Sequence, residues 1–346
     1  MNVELNYLIK VPDSYELVLV SFFATNPDGL ARLEAQWAKR DPEHKIYLGR
    51  DSTETKKVTG AELGGSVGLI DPKDLNKGII VEIDSPVATG MYYRAEEKTL
   101  YVGSGKWIQK IQGGKIVETV GNTLFNDVHT LNASFNSNML VTSTGVDGIL
   151  EVPFDTPWEI VWDWLATEHG YEKAPSGKVR SINRNDNYQT IGAATTDHTT
   201  HINSAYEYKP NKVLATLFHQ GALVEIDKKT KAEKILLDGL KNLHHIRPYS
   251  RGFLLSDTGN NRVVLLDDKF KITGVFEEDY KWVHDCIEVD GQKFLIADSN
   301  NSRIVLCDQK GMHINELNTV KGQRKFSSFT KINAAEARNI FFTEQT

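Results

Sequence analysis

Two stretches of the chain, GFLLSDTGNNRVVLLD (252–267) and KFLIADSNNSRIVLCD (293–308), are near copies of one another. In each, apolar residues alternate over five or six positions, a polar turn intervenes, and the alternation resumes. A period of two is the signature of a strand with one face buried, so each stretch predicts a hairpin. Looser copies follow the same rhythm: KVLATLFHQGALVEID (212–227), MLVTSTGVDGILEVP (139–153) and the shorter TLYVGSGKWIQKIQG (99–113). A repeat of this kind restricts the fold more than any other property of the chain, because each copy needs its neighbours to bury its faces.

Each copy is flanked by further strand-like pieces. GMYYRAEE, HTLNASF, HINSAYEY, HIRPYS and HDCIEV precede them, and KIVETV, EIVWDWLA, EKILLD and KITGVF follow. The unit is thus four short strands in about 40 residues, the period and content of a β-propeller blade. Five blades begin near residues 88, 128, 200, 244 and 283. The tail FSSFTKINAAEARNIFFTE adds strands, and so do YELVLVSFF, GSVGLID and GIIVEI near the N-terminus. The expectation is an all-β propeller of four-stranded blades, closed by pairing N- and C-terminal strands in one shared blade. Six blades are expected, with seven as the alternative. Residues 1–346 are read as a single domain with insertions at about 24–62 and 155–197. Helical periodicity is confined to GLARLEAQWAKR (29–40) and the ambiguous WEIVWDWLATEHG (158–170).

Composition fits a globular protein: 40% hydrophobic, 25% charged. The net charge of −6 and the lack of a basic stripe argue against nucleic acid as partner. No apolar run is long enough for a transmembrane helix, and the N-terminus lacks the features of a secretory signal, so a cytoplasmic location is expected. Cys286 and Cys307 lie in neighbouring strands and read as reduced core thiols. No phosphate-binding glycine loop, dinucleotide fingerprint, nucleophile elbow or cysteine zinc spacing is present.

SDTGNNRVVLLD and ADSNNSRIVLCD resemble NHL-type repeats, in which an Asp-centred turn leads into an Arg-Val or Arg-Ile strand. The resemblance implies a propeller and fixes no activity.

Four blades open with a histidine: His129 in NDVHTLN, His201 in TTHINSA, His245 in LHHIRPY and His284 in WVHDCIE. In a propeller the innermost strands line the axis, so residues in one slot converge. The chain has ten histidines, and four in one slot form a set of nitrogen donors. Neutral imidazoles suit a divalent transition metal, iron first, with copper or zinc as alternatives. His244 can replace His245, since adjacent strand residues face opposite ways. Hydrogen-bonded structural histidines are the competing explanation.

The turns between second and third strands hold His219, Asp257 and Asp298, and Asp127 and Asp285 flank the slot. Metal-bound histidines pass their second N–H to such groups. Asp257 and Asp298 equally suit plain turn chemistry. His198, in TTDHTTH, and His219 are candidate acid–base groups, and Arg247 a candidate anion binder. His169, Trp158, Trp162 and Trp164 belong to the long insertion, which reads either as a lid or as a cover for one blade.

The pattern predicts a metal-dependent enzyme acting on a small organic molecule, with oxidoreductase or oxygenase chemistry. Carotenoid-cleavage-type oxygenases, propellers with four-histidine iron, and peptide-amidating lyases, NHL-like propellers with histidine-bound zinc, offer distant parallels. One alternative is a metal-free or zinc-dependent lyase or transferase, similar to streptogramin-type lyases or arylsulfate sulfotransferases, using a channel histidine and Arg247. Another is a binding scaffold. Substrate and oligomeric state are not legible.

Overall fold

A computed structural model describes residues 3–40, 59–155, 157–192, 195–320 and 322–343. Residues 41–58 of the expected insertion at 24–62 lie outside the described residues. Six sheets of four antiparallel strands, the blades of a β-propeller, account for the repeat. The chain groups into two compact units. One comprises residues 1–104, 109–119 and 284–346, and the other residues 105–108 and 120–283.

The first unit contains the sheet that joins both ends of the chain. Its order is β24 (Lys325–Asn333), β1 (Glu16–Ala24), β2 (Ser66–Ile70), β3 (Val81–Asp84). The pairing of β1 with β24, from Glu16 opposite Asn333 to Ala24 opposite Lys325, is the closure expected from sequence. The same unit holds β4 (Ala88–Arg94), β5 (Thr99–Ser104), most of β6 (Trp107–Gln112) and β7 (Lys115–Val120), and the sheet of β20 (Val283–Val289), β21 (Lys293–Asp298), β22 (Arg303–Cys307) and β23 (His313–Asn318). Cys286 and Cys307 are free and buried there.

The second unit holds β8 (Val128–Ala133), β9 (Met139–Ser143), β10 (Gly148–Val152) and β11 (Trp162–Leu165). It also holds β12 (Ile202–Lys209), β13 (Lys212–Leu217), β14 (Ala222–Asp227) and β15 (Glu233–Leu237), then β16 (Ile246–Tyr249), β17 (Gly252–Asp257), β18 (Arg262–Leu266) and β19 (Ile272–Phe276). Residues 158–170 resolve as β11 followed by a single 3-10 turn, Ala166–Glu168, rather than as a helix. Trp162 and Trp164 donate indole N–H to the carbonyls of Lys228 and Lys231, so this part of the insertion covers the neighbouring blade.

Helices are few: α1 (Val3–Lys10), α2 (Pro27–Arg40), α3 (Gly60–Leu63) and α4 (Ala334–Phe341) among the described residues. None is long and apolar enough to cross a membrane. Middle strands are the most buried: β2, β5, β9 and β10 are buried at every position. Apolar layers form between blades, as where Leu140 and Ile149 of one sheet meet Val213, Ala215 and Val224 of the next. Full burial of such a side chain is worth about 1.5–3 kcal/mol, so sheet-on-sheet stacking is the main source of stability.

Hydroxyl groups also join successive blades, and they fix the register. Thr142 Oγ1 donates to Asn203 O (3.4 Å) and Thr216 Oγ1 to His244 O (2.7 Å). One step earlier, Thr144 Oγ1 donates to Ile202 O and Thr258 Oγ1 to Val283 O, both at 2.6 Å. Five blades begin with a non-glycine residue in the left-handed region: Val87, Asp127, His201, Asn242 and Trp282. Such backbone is uncommon for these side chains, so its recurrence marks a feature of the repeat rather than a local accident.

Candidate functional site

The structure registers the histidine slot differently from a count along the strands. Two residues after each left-handed position come Thr89, His129, Asn203, His244 and His284. The hydroxyl bonds support the same alignment, placing Asn203 in step with His244 and Ile202 in step with Val283. His201 therefore occupies the left-handed position itself, equivalent to Asp127. His244 rather than His245 takes the slot in its blade and makes the ring contacts with Phe218 and Trp282 (centroids 5.5 Å each). A β-bulge near the start of β8, and another between Ile202 and Ser204, shift each count by a residue or more.

Within the second unit, three side chains come together. One ligand atom each of Asp127, His198 and His201 lies within 4.8 Å of the others. The Nδ1 atoms of His198 and His201 are 2.7 Å apart and their rings stack at 5.0 Å. One Nδ1 must carry a proton and the other a lone pair. Both rings are buried, at 2% and 6% exposure. Burial lowers the pKa of each below the ordinary 6.5, and for His201 the neighbouring His198, His129, His219 and His244 add to the effect. The pair is neutral at physiological pH, the form that ligates metals.

Other rings surround this trio. His129 lies edge-on to His201 at 5.4 Å, and its Nδ1 sits 3.0 Å from the Asp127 carbonyl oxygen. That contact puts the proton on Nδ1 and leaves the lone pair on Nε2. His219 lies 5.8 Å from His201 and donates from Nε2 to Thr195 O at 3.0 Å. His244 Nδ1 lies 2.9 Å from Thr258 Oγ1, whose own proton goes to Val283 O, so this imidazole is the donor. Phe218 packs between His201, His219 and His244 and forms an apolar wall.

The His198–His201 loop is held from below by Asp147, which is fully buried. Its Oδ1 accepts the N–H of Thr200 and of His201, each at 2.8 Å, and the Thr200 hydroxyl. Its Oδ2 accepts Thr199 N–H at 2.9 Å and Arg180 Nη1 at 2.6 Å. Neither residue stands out in the sequence. Asp147 reads as an Asp-Gly turn, and Arg180 lies in a polar stretch with no periodicity.

The remaining candidates sit elsewhere. His284 belongs to the other unit, with Nδ1 2.7 Å from Ser327 O. Asp285 accepts the N–H of Cys286 and of Phe329, so its carboxylate secures β24. Arg247 is on β16 opposite Leu254, half-buried, and His245 is buried beside the slot. Asp257 and Asp298 serve turn chemistry: each takes Nε of the arginine five residues on, Arg262 or Arg303, at 2.7 Å. His169 stacks on Trp164 at 4.9 Å, within the part of the insertion that covers a blade.

The donor set fits a divalent transition metal. Two imidazoles and a carboxylate are the ligands of mononuclear iron(II) and of catalytic zinc sites. Bonds of about 2.0–2.1 Å in a tetrahedral site hold donors roughly 3.3 Å apart, a spacing compatible with ligand atoms that lie within 4.8 Å of one another.

No protein-family model matches the sequence, and comparison with curated proteins finds no match. Solved structures match on fold. A Bacteroides caccae protein of unknown function is 14% identical with a TM-score of 0.53, over 77% of this chain and 94% of its own. A chain of the nidogen/laminin complex is 10% identical with a TM-score of 0.58, over 92% of this chain and 99% of its own. A streptogramin B lyase is 11% identical over 68% of this chain and 69% of its own, and its TM-score of 0.45 is too low to bear on function. With six four-stranded blades and these likenesses of fold, the chain is a β-propeller.

Proposed function

We propose that the protein is a metal-dependent enzyme in which Asp127, His198 and His201 hold a divalent transition metal, iron(II) before zinc(II). The reaction is oxidoreductase chemistry on a small organic molecule. The single observation that carries this reading is the convergence of one carboxylate and two neutral, buried imidazoles within 4.8 Å. Iron(II) held by Asp127, His198 and His201 would supply redox chemistry to a substrate bound beside it.

The chain's own residues then have distinct tasks. His198 and His201 present uncharged imidazoles; for both to bind through Nδ1, the proton between those two atoms would move to Nε2 of the ring that carries it. Asp127 supplies the negative charge that a divalent ion requires, from a side chain 41% exposed and therefore reachable from solvent. His129, with its proton held at Nδ1 by the Asp127 carbonyl, keeps a basic Nε2 and is the proton acceptor beside the site. Phe218 excludes water from one side. A zinc-dependent lyase is the second reading. It is favoured by the count of three protein donors, the usual number at a catalytic zinc.

Metal analysis tests the proposal. Protein stripped with a chelator and loaded anaerobically with iron(II) or zinc(II) is expected to retain an equimolar ion after gel filtration. Asp127→Ala, His198→Ala and His201→Ala proteins, folded by circular dichroism, are expected to lose it. Wild-type protein that retains neither metal, or variants that all retain it, would overturn the reading. The metal that co-purifies with the protein, rather than relative affinity in vitro, separates oxidoreductase from lyase, because zinc(II) outbinds iron(II) at most nitrogen–oxygen sites.

A further inference from the structure

We propose that Asp147 is a positioning residue for the His198–His201 ligand pair, and that Arg180 couples this pair to the seating of the 157–192 segment. The inference rests on the metal reading above and adds a control element to it.

Asp147 is an unusual hydrogen-bond hub. Its two oxygens take five donors, three of them consecutive backbone N–H groups of the loop carrying both ligands. His201 sits at φ +50, a conformation that costs an ordinary side chain about 1–2 kcal/mol. Its N–H is fixed by Asp147 Oδ1 in that conformation. The carboxylate thus pins the loop in a shape it would not otherwise keep, and that shape sets the Nδ1 pair.

A fully buried carboxylate needs a counter-charge, because removing one partner of a buried pair leaves the other stranded. Arg180 is that partner. Nη1 reaches Asp147 and Nη2 donates to Gly145 O at 2.8 Å. Arg180 belongs to neither ligand loop. It is carried by the insertion, where its own N–H bonds Glu172 O and Lys173 pairs with Val179.

The same segment is tied a second time beside the other ligand. Asn126, immediately before Asp127, donates from Nδ2 to the carbonyls of Tyr188 and Ile191, both at 2.7 Å. Tyr188 N–H in turn bonds Thr123 O, also at 2.7 Å. The segment therefore grips the residue preceding Asp127 and the carboxylate beneath His201. Any change in its seating is felt by all three donors. By linkage, an ion that favours the assembled donors must favour the seated segment to the same degree.

Cobalt(II) serves as the probe, read by its visible absorption, with thermal unfolding followed in parallel. Arg180→Ala is expected to weaken cobalt binding by about 10–100-fold, the usual cost of losing a partner behind a ligand. Arg180→Lys is expected to recover part of the loss. Asp147→Asn is expected to weaken binding as well, and if it fails to fold the two Arg180 variants carry the test. Cobalt is expected to slow trypsin cleavage after Lys173 and Lys178, both exposed, in wild type but not in Arg180→Ala. Folded Arg180→Ala protein that binds cobalt with wild-type affinity and spectrum overturns the coupling while leaving the metal site intact. So does cleavage indifferent to cobalt in wild type. Wild-type protein that takes up no cobalt removes the metal reading and this inference together.

Discussion

Asp257 and Asp147 are both fully buried and both pair with an arginine, one before and the other after the 3-10 turn of its hairpin, yet they do opposite work. Asp257 finds Arg262 within its own turn and caps Lys241 N–H, so the blade closes on itself. Asp298 and Arg303 repeat the device in the next repeat. Asp147 instead reaches Arg180 across the insertion and three N–H groups more than fifty residues away. Local pinning closes a blade, whereas remote pinning fixes the loop that carries His198 and His201. The lesson is that a buried turn carboxylate in a repeat protein can serve its own hairpin or a distant loop, depending on which partners reach it.

The strongest challenge to this contrast is to remove each carboxylate. Asp147→Ala is expected to cost about 3–5 kcal/mol in urea unfolding, since it strands Arg180 and three buried N–H groups, and to abolish metal binding. Asp257→Ala should cost less, about 1–3 kcal/mol, because Arg262 can turn to solvent, and should leave metal affinity unchanged. Equal losses of metal binding in the two proteins would erase the distinction.

A pH experiment sharpens it. Asp163 anchors the insertion through Arg184 Nε at 2.6 Å and also holds Lys231. Burial alone would raise its pKa, but the hydrogen bonds and charges of Arg184 and Lys231 outweigh burial and lower it below the ordinary 3.8. The stabilisation is therefore complete above 3.8 and is lost as pH falls through the lower folded value. The stability gap between wild type and Asp163→Asn, measured by urea at about pH 6, should shrink steadily in more acidic buffer. A gap that widens on acidification would reverse the assignment. The smallest effect belongs to His169→Ala. Losing its stack on Trp164 should cost about 1 kcal/mol or less and leave metal uptake untouched.

Much of the architecture was legible because strands advertise themselves by alternation and the turns by their Asp-Asn-Gly chemistry. The closure by β1 and β24, the blade starts at 88, 128 and 283, and the Asp257 and Asp298 turns all follow from local pattern. The site was legible only in outline. Of the four histidines expected at blade starts, His201 lies in the cluster and His129 beside it, while His284 belongs to the other unit. Which ring enters the cluster depended on bulges and left-handed residues that sequence does not mark. Thus His201 is out of step with His129 by two residues, His244 and not His245 takes the slot, and His198 and Asp127 complete the set. Asp147 and Arg180 were invisible because their partnership is created by the path of the insertion, not by spacing.

The shared sheet sets a clock for biosynthesis. β1, nearly all apolar, cannot gain its second neighbour until β24 has left the ribosome some 300 residues later. At translation rates of about 5–20 residues per second that is an interval of roughly 15–60 s. Throughout it, one flank of ELVLVSFFA stands as an open template for stray pairing. The protein's yield in a cell should accordingly depend on how well chaperones shield that nascent edge.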